Sequence, residues 1–157
     1  MKTIVVFFLG SLLSACTLLD RAMLRDELDG CPDVAEQYLA PPDDEAIRAF
    51  HTLDLSRQYQ VFICASQYVR PPLSEFQVAF ASGGDRVAEF LVQQLGSGVD
   101  DLTFRDIVYV FSAMQSQGTY DVASETLFLR WLEARAEAMG NPEWREHVTE
   151  VVQELRG

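Results

Sequence analysis

Positively charged residues are scarce in this sequence of 157 residues. Lysine and arginine together number 12 against 24 aspartates and glutamates, which gives a formal net charge of −12. A surface of this sign repels nucleic acid and anionic lipid headgroups, so the charge argues against both as direct partners. A basic protein remains the natural electrostatic complement, unless the charge serves only to keep the chain soluble.

Histidine is nearly absent, which limits the chemistry that the chain can perform. His51 and His147 stand far apart, and neither has a second histidine or a cysteine at the spacing of a metal site. A serine or cysteine nucleophile needs a nearby base. Glu143, Glu146 and Glu150 surround His147 at the spacing of a solvated helix face. The sequence therefore predicts no catalytic residue, no metal ligand and no dissociable cofactor.

No apolar run is long enough to cross a bilayer. The stretch from Ile4 to Leu13 is about half of the ~20 apolar residues that a transmembrane helix needs. It follows a single lysine, Lys2, and is followed by small residues. This order of a basic residue, a short apolar run and a small-residue site is typical of a secretory signal peptide.

The end of this stretch, Leu13-Ser14-Ala15-Cys16, resembles the lipobox of bacterial lipoproteins. The resemblance covers only the first 16 residues. It implies that Cys16 is acylated, with palmitate or a similar chain, that residues 1–15 are removed, and that Cys16 becomes the first residue of the mature protein. The alternative is ordinary cleavage at a nearby small residue, with Cys16 free or paired.

More than one acyl chain makes membrane anchoring stable. In lipoproteins of this kind an aspartate directly after the cysteine marks retention in the inner membrane, and Thr17 stands at that position here. The resemblance therefore implies that the protein is anchored to the periplasmic face of the outer membrane.

The chain divides into a signal peptide at 1–15, a lipid-anchored segment at 16–30 and a single helical domain at 31–157. The anchored segment is predicted to be helical and either packs on the domain or lies in the membrane interface. Packing is favoured because the acids of the segment have the wrong sign for anionic headgroups. Its apolar residues are Leu18, Leu19, Met23, Leu24 and Leu28.

Two cysteines remain beyond the anchor, Cys31 and Cys64. An even number of cysteines in an oxidising compartment predicts one disulfide. The alternative is a pair of buried thiols, because a free cysteine packs like a small hydrophobic residue.

The periodicity is helical almost everywhere, and no window shows the sustained alternation of a strand. Predicted helices follow Asp43-Asp44, Asp54 or Ser56, Asp85, Thr103, Ser124 and Asn141-Pro142. Asp106 would complete a capping box with Thr103. Phe76, Val78 and Phe80 form a short apolar segment to which we assign no helix.

The fold class is all-α, after a cleaved signal peptide. The helix from Ser124, which is apolar on more than one face, is expected at the centre of the core. The helices form either an irregular bundle or a short stack of antiparallel pairs that loosely resembles HEAT repeats.

Three functions are compatible with these observations. The first is a protein-binding or adaptor module of the cell envelope, held at the membrane by its lipid. The second is an immunity-type inhibitor of a basic periplasmic toxin, and the third is an enzyme acting on the cell wall or on lipid. Tyr109, Tyr120, Trp131 and Trp144 could form a binding patch, although helical spacing favours the core for such residues.

Overall fold

The computed structural model describes Cys31, Tyr38 and residues 44–69 and 71–157. The predicted signal peptide, the lipidation site Cys16 and the anchored segment 16–30 lie outside these residues. Within them the protein contains seven α-helices and one 3-10 turn and no strand, which confirms the all-α prediction. None of these helices is long and apolar enough to cross a membrane.

The helices follow one another with short connections. They are α1 (Asp44–Phe50), α2 (Leu55–Gln67), α3 (Ser74–Ala81), α4 (Asp85–Gly96), α5 (Asp101–Gln117), the 3-10 turn (Val122–Ser124), α6 (Thr126–Glu137) and α7 (Pro142–Glu154). The longest helix, α5, packs against α2, α3, α4 and α7 and against the 3-10 turn. The fold is therefore an irregular bundle around α5.

Two helix starts are the ones that the sequence predicts. Asp54 caps α2, since its side chain accepts a hydrogen bond of 2.9 Å from the backbone N–H of Arg57. Asn141 caps α7 by accepting from the N–H groups of Glu143 and Trp144, with Pro142 at the first helical position. A proline fits there because its missing N–H has no partner inside the helix.

Two other helix starts differ from the prediction. The cap of α5 is Asp100, which accepts from the N–H of Thr103 at 2.8 Å, so Thr103 is not the cap. Asp85 is the first residue of α4, and Gly84 precedes it with a positive φ of 55°. A Cβ at position 84 would lie 2.8 Å from the carbonyl oxygen of Thr119, so only glycine fits this turn.

The structure also corrects the prediction for two segments. Phe76, Val78 and Phe80 belong to helix α3, which places Phe76 and Phe80 one turn apart on the buried face. Ser124 closes the 3-10 turn, and α6 begins two residues later at Thr126. α6 is also not the centre of the core, because part of its apolar surface is exposed.

The core is rich in phenylalanine. Phe80 of α3 is fully buried, and its ring lies 6.3 Å from that of Phe50, 5.6 Å from that of Phe62 and 6.4 Å from that of Tyr59. These contacts join α1, α2 and α3 into one cluster. The fully buried Phe104, Ile107 and Phe111 continue the core along α5.

A disulfide joins Cys31 to Cys64, as the cysteine count predicts, with the two Cα atoms 5.8 Å apart. Cys64 is buried on α2, and Cys31 is partly buried against the same core. The bond therefore connects the chain ahead of α1 to a helix of the bundle.

Candidate functional site

The two histidines occupy separate surroundings. The ring of His51 lies edge-on to that of Phe50 at 5.6 Å, just after the end of α1. His147 is exposed on α7, 5.7 Å from the ring of Tyr109, with its Nδ1 3.8 Å from a carboxylate oxygen of Glu150. Across residues 44–69 and 71–157, together with Cys31 and Tyr38, no group of three or more histidine, cysteine or acidic residues could hold a metal ion.

The four aromatic residues considered as a patch do not share one environment. Tyr109 and Trp144 both lie near Arg105, whose guanidinium carbon is 6.0 Å and 5.2 Å from the respective ring centres. Tyr120 packs on the core next to Phe111. Trp131 is different, because 42 % of its surface is open to solvent.

Trp131 forms one wall of an apolar groove between α4 and α6. The groove has a volume of about 270 Å³ and is lined by Val92, Leu95, Gly96, Phe128 and Trp131. We call it the Trp131 groove. Val92 is 43 % exposed on the α4 side. A Cβ placed on Gly96 would meet nothing within 4 Å, so the missing side chain leaves this end of the groove wide.

Buried aromatic side chains of α5 support the aromatic wall of the groove. The rings of Phe128 and Trp131 are stacked, with centres 6.2 Å apart and planes 9° apart. Phe104 meets Trp131 edge-on at 6.3 Å, and Phe111 meets Phe128 at 5.0 Å. Because Phe104 and Phe111 are fully buried on α5, the wall rests on the centre of the bundle.

A second contact fixes α6 at its other end. Arg135 forms an ion pair with Asp101 at the start of α5, with 2.7 Å between Nη2 and Oδ1, and its guanidinium lies 4.9 Å from the ring of Phe104. Asp101 also accepts from the backbone N–H of Gly140 at 2.8 Å. These contacts hold the helix that carries Trp131 in one position against α5.

The exposed apolar surface continues beyond the groove. Leu127 is 81 % exposed and lies one turn before Trp131 on α6. The buried face of the same helix consists of Leu129, Leu132 and Ala136. The apolar residues on more than one face of α6, which we interpreted as a sign of burial, therefore include an exposed pair.

Four acidic residues at or near the N-terminal ends of α4 and α6 affect the pKa of Tyr120. Burial raises the pKa of the Tyr120 hydroxyl, and four nearby carboxylates raise it further. Glu89 lies one turn before Val92, and Glu125 lies three residues before Phe128, so these two acids adjoin the groove. We call this group the acidic rim; it consists of Asp85, Glu89, Asp121 and Glu125.

A buried carboxylate, that of Asp106, lies elsewhere on α5 and is only 3 % exposed. Its Oδ1 accepts from Arg105 Nε at 2.9 Å and Nη2 at 2.7 Å, and its Oδ2 accepts from Gln67 Nε2 at 3.0 Å. Burial raises the pKa of Asp106, while the hydrogen bonds from Arg105 and Gln67 oppose this rise. Both oxygens are already occupied by protein donors, so the carboxylate links α2 to α5.

Asp106 gives the protein a testable pH dependence. Because its folded-state pKa lies above the unfolded value near 3.8, the folded state keeps this proton to higher pH. The resulting stabilisation is complete below pH 3.8 and is lost as the pH rises through the folded-state pKa. We expect the free energy of unfolding of the wild type, relative to Asp106→Asn, to fall as the pH rises from about 4 and then to level off. Urea unfolding of both proteins across this pH range measures the difference in free energy of unfolding.

Asp101→Asn is the matched control for this experiment. A hydrogen bond from Arg135 lowers the pKa of Asp101, so its stabilisation is present above the unfolded pKa and is lost as the pH falls through the folded one. The wild type should therefore gain stability over Asp101→Asn as the pH rises. A difference between wild type and Asp106→Asn that does not vary with pH would contradict the assignment for Asp106.

The Trp131 groove combines exposed apolar side chains with a defined shape, and acidic residues adjoin it. Sequence reasoning named Trp131 but missed Val92, Leu95 and Gly96, since they lie on a different helix. No family model, curated protein or solved structure matches the chain.

Proposed function

We propose that this protein is a lipid-anchored lipoprotein on the periplasmic face of the outer membrane, acting as a protein-binding or adaptor module of the cell envelope. The anchor is Cys16, on the resemblance of Leu13-Ser14-Ala15-Cys16 to a lipobox. The binding surface is the Trp131 groove. The proposal rests above all on the exposure of Trp131 and Leu127, at 42 % and 81 %, on a helix that the core holds in place.

Exposed apolar surface of this kind favours a protein partner. Tryptophan is enriched among the residues that contribute most to protein–protein binding, particularly where it lies in a well-packed surrounding. Trp131 meets this description, because Phe104 and Phe128 contact its ring while part of the ring faces solvent. Such a surface is ready to bind without rearrangement of the bundle, which reduces the entropy lost on binding.

The lipid anchor would promote binding by raising the local concentration of the protein at the membrane. Confining the groove to one membrane face raises its effective concentration toward partners in the same envelope, so a modest intrinsic affinity suffices. The acidic rim gives specific support to the second function, an immunity-type inhibitor of a basic toxin. Both functions use the same surface and differ in the partner.

Photocrosslinking in living cells tests the proposal. A benzophenone amino acid replaces Leu127, whose exposure makes the substitution compatible with folding. We expect it to capture an envelope protein, and we expect Cys16→Ser to lower the yield severalfold and to move the protein out of the membrane fraction. Crosslinked species are identified by mass spectrometry after membrane fractionation.

The matched control places the same crosslinker at Val78, which is 52 % exposed and lines a separate groove on α3. Equal capture from positions 127 and 78 would contradict the Trp131 groove as the specific binding surface. Capture from position 127 that is unchanged by Cys16→Ser would contradict the role of the anchor while leaving the surface assigned.

A further inference from the structure

We propose that the Trp131 groove receives a cationic amphipathic helix of a partner protein. Apolar side chains of that helix would enter the groove, and its lysine or arginine side chains would lie against the acidic rim. This inference rests on the proposed function and identifies the chemistry of the partner.

The form of the groove suits a helix. With about 270 Å³, it is smaller than the cavities of about 300–1,000 Å³ that enclose small molecules, and its walls remain partly exposed. Its apolar walls come from two helices, α4 and α6, as in the grooves that accept the apolar face of an amphipathic helix. A few side chains spaced by three or four residues could fill it.

The acidic residues beside the groove favour a partner helix that carries positive charge. Four carboxylates lie close enough to Tyr120 to raise its pKa, in addition to the effect of burial. The same helices carry two exposed cations, Arg86 and Arg130, so the acids of the rim are in excess. The net charge of −12 adds a long-range attraction for cations, which speeds encounter.

The same charge disfavours two other occupants. A second copy of the chain would bring an equally negative surface to the rim. The segment 16–30, which has enough apolar residues for a groove, carries four acids against Arg21 and Arg25. Like charges placed together at an interface oppose binding, so a foreign cationic helix is the better complement.

Three of the four acids also stabilise the start of a helix or turn, so their presence does not depend on a partner. Asp121 accepts from the N–H of Ser124, Asp85 lies in the first turn of α4 and Glu125 immediately precedes α6, where negative charge stabilises a helix. Glu89 lies further along α4, beyond its first turn, and makes no such contribution. Glu89→Lys therefore tests the rim without disturbing a helix end.

The experiment measures binding of two synthetic peptides of about 15 residues by fluorescence anisotropy. Both have the same apolar stripe of leucines; one carries lysines on its polar face and the other carries glutamates. The protein is the chain from residue 16 onward with Cys16→Ser, so that all described residues are present. Circular dichroism confirms that each variant is folded.

We expect the cationic peptide to bind and the acidic peptide to bind at least 10-fold more weakly, about 1.4 kcal/mol. Trp131→Ala should weaken binding of the cationic peptide about 30-fold, the loss expected for a residue that dominates an interface. Leu127→Ser should weaken it without touching the core. Glu89→Lys should weaken it about 10-fold at low salt and less at high salt.

The matched controls are Val78→Ala for the apolar contact and Glu154→Lys for the charge. Glu154 is an exposed residue of α7 and is not among the groups near Tyr120. If Glu154→Lys weakens binding as much as Glu89→Lys does, the attraction is that of the whole chain and the inference is wrong. It is also wrong if neither peptide binds, or if Trp131→Ala and Leu127→Ser both leave binding unchanged.

Crosslinking in cells separates this inference from the proposed function. A partner captured at position 127 that has no cationic amphipathic helix would overturn the inference and leave the binding module intact. Capture of no partner would overturn both. Tight binding of the acidic peptide would overturn only the assignment of charge.

Discussion

Replacing Phe80 with alanine is expected to lower the free energy of unfolding by about 4 kcal/mol. Phe80 is fully buried, and its ring contacts those of Phe50, Tyr59 and Phe62. The substitution removes the apolar transfer energy of the ring and leaves a cavity among three helices that can close only partly. Urea unfolding followed by circular dichroism measures the change.

Val78→Ala is the matched control, two residues away on the same helix. Because Val78 is 52 % exposed, its truncation should change stability by no more than about 0.5 kcal/mol. A loss below about 2 kcal/mol for Phe80→Ala would mean that the neighbouring rings collapse into the space, or that the cluster is loosely packed. Similar losses for both variants would contradict the burial assigned to Phe80.

Reduction of the disulfide is expected to lower the free energy of unfolding by about 3–4 kcal/mol. The bond closes a loop across 33 positions, from Cys31 to Cys64, and removes many conformations from the unfolded chain. A loss of this size is a large share of the roughly 5–15 kcal/mol that stabilises a domain. Urea unfolding of the oxidised and dithiothreitol-reduced protein gives the difference.

The double variant Cys31→Ala and Cys64→Ala is the control for reduction. It should be insensitive to dithiothreitol and about as stable as the reduced wild type, apart from a small loss at the buried Cys64. Equal stability of the oxidised and reduced wild type would contradict a stabilising role for the bond. Sensitivity of the double variant to dithiothreitol would show that the reagent acts elsewhere.

The sequence predicts helices well where a cap and a periodic apolar face agree. Asp54 and Asn141-Pro142 are such starts, and the structure confirms both. α3 escaped prediction because it has only eight residues, and Phe76, Val78 and Phe80 fit an alternating pattern as well as a helical one. At α5 two caps compete within one turn, and local sequence does not decide between Asp100 and Thr103.

Asp106 shows how tertiary contacts override local patterns. Its position three residues after Thr103 suits a capping box, yet the side chain is buried and bonded to Gln67, which lies 39 residues earlier. No local rule predicts a partner at that distance. The contact exists only because α2 packs on α5.

The candidate site was only partly predictable for the same reason. Trp131 stood out by composition, but the opposite wall of the groove comes from α4, more than 30 positions earlier. The sequence signal was the second apolar face of α6, and its interpretation as core was wrong for Leu127 and Trp131. Periodicity shows that a helix has a second apolar face and leaves open whether the protein or a partner covers it.

The disulfide also determines how mechanical force would enter the domain. With the proposed anchor at Cys16, about 15 residues lead to Cys31, a tether of at most about 50 Å. Tension along it would reach the Cys31–Cys64 bond first and pass into α2, whose Cys64 is buried in the core. The short helix α1 lies between Cys31 and Cys64 in the chain, so the force would bypass it. A pull from the membrane would thus enter the bundle at the buried part of α2.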